Sequence, residues 1–233
     1  MSDLNVSVIV PCFNEEKTIE QVLLRILNQK DIVKEIIVID DNSTDNSRQK
    51  IEKMSNSNPI IQYFFKDINE GKGSALIKGF SLSKGDIVLI QDADLEYDPE
   101  EYKKLIKPFT ESNADVVYGS RFLGGDMIRL HFFWHYLANK ILTFICNIVT
   151  NLNMSDMETG YKLIKKKHLD KINLKEKSFG IEPELTVKLA KKNLVFYEVP
   201  ISYKGRTYQE GKKIGFKDAV VAMYCILKYR FFD

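Results

Sequence analysis

The stretch "VLIQDADLEYDP", residues 88–99, decides how the rest of the chain is read. An apolar run ends in Asp92, Asp94, Glu96 and Asp98, carboxylates at every second position. Carboxylates within a few ångströms of one another raise each other's pKa, so such a loop is unfavourable unless a cation compensates it. Oxygen donors with no His or Cys beside them select a hard cation, Mg²⁺ or Mn²⁺, and Mg²⁺ is commonly held by one or two carboxylates together with substrate phosphates. Asp92 and Asp94 follow directly on the apolar run and are the expected metal ligands. Asp98 and Glu100 flank Pro99 and fit the first turn of a helix, where the dipole favours negative charge.

Outward from that stretch the first half of the chain alternates. Apolar runs stand at 6–11 ("VSVIVP"), 35–40 ("EIIVID"), 60–65 ("IIQYFF"), 86–91 ("DIVLIQ") and 115–120 ("DVVYGS"). Between them lie segments of helical length and spacing, such as Ile19, Val22, Leu23, Ile26 and Leu27. Strands that are apolar throughout and separated by helices predict an α/β fold, a mainly parallel sheet covered by helices on both faces. Ligands of such sheets bind beyond the carboxyl ends of the strands, where Asp92 and Asp94 fall. The second half is less regular. It holds "TGYKLIKK" (159–166), a helix near 181–192, a strand in 194–203, a basic glycine-containing stretch at 204–215 and a last helix to about residue 229. With 233 residues and no repeat or linker, the expectation is one domain, its regularly alternating half at 1–122 and its less regular half at 123–233.

Bulk properties narrow the classes. Lys plus Arg (34) nearly balance Asp plus Glu (32), so no overall charge drives nucleic-acid binding. Cys12, Cys146 and Cys225 lack metal-ligand spacing and read as core residues of a reduced, cytoplasmic protein. The N-terminus has no basic region or cleavage site of a secretory signal. Residues 130–152 form the most apolar segment but include His131, His135, Lys140 and Asn147, which argues against a membrane span. They read as one or two amphipathic helices; a buried core helix and a helix lying in a membrane interface both suit Phe132, Phe133, Trp134 and Tyr136.

Other motifs are checked by spacing. "NEGKGSALIKG" (69–79) satisfies neither the P-loop, since Lys72 is followed by Gly73, nor the dinucleotide fingerprint, since Leu76 stands where glycine is needed. A dehydrogenase is therefore not expected. Asp40 and Asp41 end the second run and suit contacts to a ribose or base, although Asx-rich turns use the same residues. Lys204, Arg206, Lys212 and Lys213, with Arg121 and Arg129, are cations that can meet phosphate.

Taken in order, "VSVIVPCFNEEKTI", "IIVIDDNSTDNS", "NEGKGSALIKGF", "IQDADLEYDPE", "VVYGSRF", "DMETGYKL" and "EVPISYKGRTYQEGKKI" resemble glycosyltransferase family 2 with the GT-A fold, and more narrowly its dolichyl-phosphate mannose synthase group. The resemblance spans about residues 5 to 218. It implies a nucleotide-sugar donor, one Mg²⁺ or Mn²⁺, and inversion at the anomeric carbon. It implies that Pro11, Phe13, Glu15, Asp40, Asp41, Asp92 and Ala93 line the nucleotide, that Asp92, Asp94 and Glu96 surround the metal, and that Arg121, Arg129, Arg206, Lys212 and Lys213 meet phosphates. Glu96 stands where the group usually has glutamine, and the paired Lys212 and Lys213 leave the loop register open by one residue. A polyprenyl phosphate acceptor is already anionic and needs no strong base, whereas a sugar hydroxyl needs one, for which Asp156 with Glu158 behind it is the candidate. The aromatic 130–152 segment favours the lipid, with peripheral attachment to the cytoplasmic membrane face. The alternatives are transfer to a glycan hydroxyl and a non-catalytic nucleotide-sugar binding module.

Overall fold

A computed structural model describes residues 4–124, 129, 132–206 and 216–233. Seven strands form one sheet in the order β3-β2-β1-β4-β6-β5-β7. They are β1 (Val6–Cys12), β2 (Val33–Asp40), β3 (Ile61–Phe65), β4 (Ile87–Ile90), β5 (Val116–Ser120), β6 (Lys162–Lys165) and β7 (Phe196–Pro200). The five apolar runs of the first half are β1 to β5. All strands share one direction except β6, which pairs antiparallel with both β4 and β5. The run at 115–120 is thus not the neighbour of β4, because a strand from the second half is inserted between them. A strand of only four residues gives little periodicity to read, so "TGYKLIKK" does not announce a strand between β4 and β5.

Among the described residues eight helices cover the sheet: α1 (Ile19–Leu27), α2 (Ser47–Ser57), α3 (Lys72–Leu82), α4 (Tyr102–Glu111), α5 (Phe133–Thr150), the short α6 (Lys166–Leu169), α7 (Ile181–Ala190) and α8 (Phe216–Phe231). A 3₁₀ turn at Pro99–Glu101 leads into α4, and Asp98 caps it by accepting from the Glu100 N–H at 3.2 Å. Alternation along each strand assigns the two faces. Val8 and Val10, Ile36 and Val38, and Ile87 and Leu89 pack with α1, α2 and α4. Ile9, Ile37 and Ile39, and Val88 and Ile90 pack with α3, α5, α7 and α8. Strands buried on both sides require apolar residues at every position, which is what the continuous runs supply. Cys12, Cys146 and Cys225 are free and buried.

Of the segment 130–152, the described residues 132–152 yield one helix, α5, beside α8, and residues 130 and 131 lie outside the described residues. It is neither wholly buried nor long and apolar enough to cross a membrane, and no other helix among the described residues is. Leu142 and Cys146 face the core, while Phe133, Trp134, Ile141, Phe144 and Ile148 are exposed. On α8, Ala222, Cys225, Ile226 and Tyr229 are buried, while Val220, Tyr224, Leu227 and Phe231 form an exposed apolar row.

Candidate active site

The turns that follow β1, β2 and β4 meet at one edge of the sheet and enclose a cleft of about 330 Å³. Pro11, Phe13, Glu15, Asp41, Asp92, Ala93, Asp94, Glu96 and Arg206, all expected site residues, line it. Asn69, Lys72, Phe179 and Tyr203 are also part of the wall.

Local geometry explains each placement. Asn14, two residues after β1, takes a left-handed φ of 54°, and its N–H reaches Ser43 Oγ at 2.9 Å. Asp41 accepts from Lys66 Nζ at 2.5 Å, the Glu70 N–H at 3.1 Å and the Gly71 N–H at 2.6 Å. Gly71 has φ 101°, and a Cβ there would lie 2.6 Å from the Lys177 carbonyl, so only glycine serves this turn. Asp40 is fully buried and does not line the cleft. It accepts from Arg48 Nε at 2.6 Å and the Ser43 N–H at 3.0 Å, so its role is to hold the turn that presents Asp41.

The "DAD" segment rests on an aromatic floor. Tyr102 and Tyr161 both donate to Gln91 Oε1, at 2.8 and 2.7 Å, fixing the residue before Asp92. Tyr97 packs between Tyr161 and Tyr203, with ring centroids 4.7 and 5.2 Å away. Its hydroxyl accepts from the Gly160 N–H at 2.8 Å. A Cβ on Gly160 would come within 2.5 Å of Asp92 Oδ2, so the glycine permits this close approach.

Each carboxylate of the cleft has a cation. Lys72 Nζ lies 2.8 Å from Asp92 Oδ1 and 3.2 Å from Glu182 Oε1, and Glu182 also takes the buried Lys162 at 2.6 Å. Burial pushes the Lys72 ammonium down, but Asp92 and Glu182 outweigh it and hold it above its usual value. Arg206 serves the others: Nη2 to Asp94 Oδ2 at 2.7 Å, Nε to Glu96 Oε1 at 3.4 Å, and Nη1 to Glu15 Oε1 at 3.2 Å. Burial, then Glu96 and Asp92, push the Asp94 carboxyl up to about 8 although Arg206 opposes them.

Asp92, Asp94 and Glu96 are brought to one cleft, yet among the described residues no three His, Cys, Asp or Glu side chains gather as a metal cluster. Asp94 and Glu96 share a cation and offer only oxygen, a donor set that fits Mg²⁺ or Mn²⁺ when phosphates supply further ligands.

Beyond the cleft, Arg121 makes a bidentate pair with the fully buried Asp156, Nε to Oδ2 at 2.6 Å and Nη2 to Oδ1 at 2.7 Å. The Arg121 N–H also donates to Asp156 Oδ2, at 3.0 Å. Glu198 of β7 accepts from the Ser155 and Asp156 N–H groups and holds this segment. With both oxygens engaged, Asp156 acts here as the orienting partner of Arg121. Burial pushes the Glu158 carboxyl up to about 7. Arg121 stacks on Tyr203, 5.2 Å from the ring centroid. Arg129 binds the same segment, its N–H to the Tyr203 carbonyl and Nη1 to the Gly205 carbonyl, both at 3.1 Å. The fold thus gathers Arg121, Arg129 and Arg206 around residues 203–206. Lys212 and Lys213 lie outside the described residues. Sequence reasoning missed Glu182 and Tyr203, whose roles come from partners far along the chain and have no local motif.

The sequence profile described as Glycosyl transferase family 2 matches residues 7–172. The chain is 29% identical over 215 residues to the dolichol-phosphate mannosyltransferase of Pyrococcus furiosus. That alignment covers 91% of this chain, which spans only 60% of the relative's length. Identity to an uncharacterized protein of Methanocaldococcus jannaschii is 30% over 212 residues, 83% of this chain and 86% of that one. The glucosyl-3-phosphoglycerate synthase of Mycobacterium tuberculosis, crystallised with Mn²⁺, uridine diphosphate and phosphoglyceric acid, superposes with a TM-score of 0.76. Identity there is 18%, over 99% of this chain and 80% of that one, a likeness of fold. The same enzyme with Mg²⁺ and uridine diphosphate gives a TM-score of 0.73 at 20% identity, over 97% of this chain and 79% of that one.

Proposed function

Because the chain belongs to glycosyltransferase family 2 and folds as a GT-A glycosyltransferase, we propose that it moves a sugar, with inversion, from a UDP- or GDP-linked donor to a polyprenyl phosphate at a membrane surface. The observation that carries this reading is the meeting of Asp41, Asp92, Asp94 and Arg206 in one cleft at the strand ends. The first half of the chain supplies the donor site, and the second half supplies the acceptor side.

In this reading Pro11, Phe13 and Asp41 receive the nucleoside, with the aromatic ring of Phe13 available for stacking. Asp94 and Glu96, with Asp92 beside them, would hold Mg²⁺ or Mn²⁺. The ion, when bound, offsets the growing negative charge of the departing diphosphate. Lys72 orients Asp92 through the 2.8 Å contact. An acceptor phosphate oxygen attacks the anomeric carbon from the face opposite the diphosphate. The carbon–oxygen bond to the diphosphate breaks as the new one forms, and the nucleoside diphosphate leaves with the electron pair. Arg121, Arg129 and Arg206 orient the acceptor's phosphate, since guanidinium groups match phosphate oxygens bidentately. No proton has to be removed from such an acceptor, which agrees with an Asp156 whose oxygens are both engaged by Arg121.

The exposed apolar rows of α5 and α8 support the lipid acceptor. Two adjacent helices with outward Phe, Trp, Ile and Tyr side chains suit the interfacial layer of a bilayer better than water. The test is incubation with radiolabelled UDP-glucose, UDP-N-acetylglucosamine or GDP-mannose, Mn²⁺ and a polyprenyl phosphate. Organic-extractable label is expected; label confined to water-soluble product rejects the lipid acceptor.

A further inference from the structure

We infer that Arg206 is the resident counter-ion of Asp94 and Glu96, and that a divalent cation reaches these carboxylates only by displacing it. This rests on the reading that Asp94 and Glu96 hold the ion.

The two compensating cations of the cleft are built differently. Lys72 opens α3, is 18% exposed at its side chain, and is gripped on its far side by Glu182, which is itself tied to the buried Lys162. That cation belongs to the core and cannot leave without stranding buried charge. Arg206 instead follows β7 outside any helix or strand, and among the described residues its guanidinium pairs with Glu15, Asp94 and Glu96 of the cleft. Its guanidinium engages Asp94 Oδ2, Glu96 Oε1 and both oxygens of Glu15. Glu96 is further spent on this segment, accepting from the Arg206 N–H at 2.7 Å and from the Tyr203 hydroxyl at 2.8 Å.

Hydrogen bonds of this kind occupy the lone pairs that a metal ion would need, and two cations a few ångströms apart repel each other. The ion and the guanidinium are therefore alternatives. Once displaced, Arg206 has an unused fork beside Arg121 and Arg129, so loading the ion makes a phosphate-binding group available. This couples the two events by linkage and predicts that the ion and the acceptor's phosphate each strengthen the other's binding.

The test is a Mn²⁺ titration of the full chain, stripped of divalent ions by chelation, read by electron paramagnetic resonance without nucleotide. Arg206→Gln is expected to bind Mn²⁺ about tenfold more tightly than wild type, the worth of one charge-assisted hydrogen bond. Arg206→Lys keeps the charge and stays near wild type, and adding Asp94→Asn to Arg206→Gln removes the gain. Arg206→Met serves if the Gln variant fails to keep the wild-type circular dichroism spectrum. Equal or weaker Mn²⁺ binding by the neutral variants overturns this inference alone. Failure of wild type to bind Mn²⁺ even with UDP or GDP present overturns the metal reading as well.

Discussion

At the scale of single residues, the chemistry of this protein depends on charges that are taken out of water in pairs. Arg121 and Asp156 form such a pair, with Asp156 fully buried. Removing one member strands the other, so Asp156→Ala is expected to lower stability by about 3–5 kcal/mol, measured by urea unfolding. A loss below about 1 kcal/mol would show that the pair is solvated. Glu158 is the opposite case, because burial raises its carboxyl from 4.5 to about 7 and its Oε1 finds no hydrogen-bond partner among the described residues. Below pH 4.5 the group is protonated in both folded and unfolded chains. Between 4.5 and 7 only the unfolded chain releases the proton, so stability falls as pH rises through this window. Glu158→Gln should flatten that fall, read as the change in urea midpoint between pH 5 and pH 8. An unchanged slope would assign the pH dependence elsewhere. Asp94→Ala is expected to lower turnover at least about 100-fold, the scale of losing a group that supports transition-state charge.

At the scale of elements, helix faces divide the labour. α1, α2, α3, α4 and α7 turn their apolar sides to the sheet, and their ends deliver Lys72, Glu182 and Asp98 to its edge. α5 and α8 keep an apolar row on the outer side as well as the inner one. Phe144, 65% exposed, and Phe231, 64% exposed, make almost no core contact, so charged substitutions there should spare folding. Phe144→Glu together with Phe231→Glu is expected to reduce cosedimentation with anionic phospholipid vesicles at least about fivefold, at unchanged melting temperature. Vesicle binding equal to wild type would remove the membrane from this face.

At the scale of the whole molecule, the cleft joins residues from the turn after β1 to Arg206, so ligands bound there should tie the fold together. Nucleotide with Mn²⁺ at about 100 times the dissociation constant should stabilise by about 2.7 kcal/mol. For a chain of this size that is a rise of about 5–10 °C in melting temperature by calorimetry. A rise with UDP but not GDP, or the reverse, would also identify the base.

Much of this architecture was legible before any coordinates. Continuous apolar runs, helical spacing between them and carboxylates at a strand's end are local features, and local sterics and burial dictate what they become. The sequence by itself therefore determined the α/β fold, the edge that carries the cleft, and Asp41, Asp92, Asp94 and Arg206 as its residues. Only the tertiary structure decided that Asp40 serves the turn rather than the cleft and that β6 enters the sheet in reverse. Only it decided which cation meets which carboxylate: Lys72 with Asp92, Arg121 with Asp156, and Arg206 with Asp94, Glu96 and Glu15. The last of these joins residues 191 positions apart. The physical reason is that a charge pair is set by distance in space and by the water excluded around it, and neither quantity is written in any stretch of neighbouring residues.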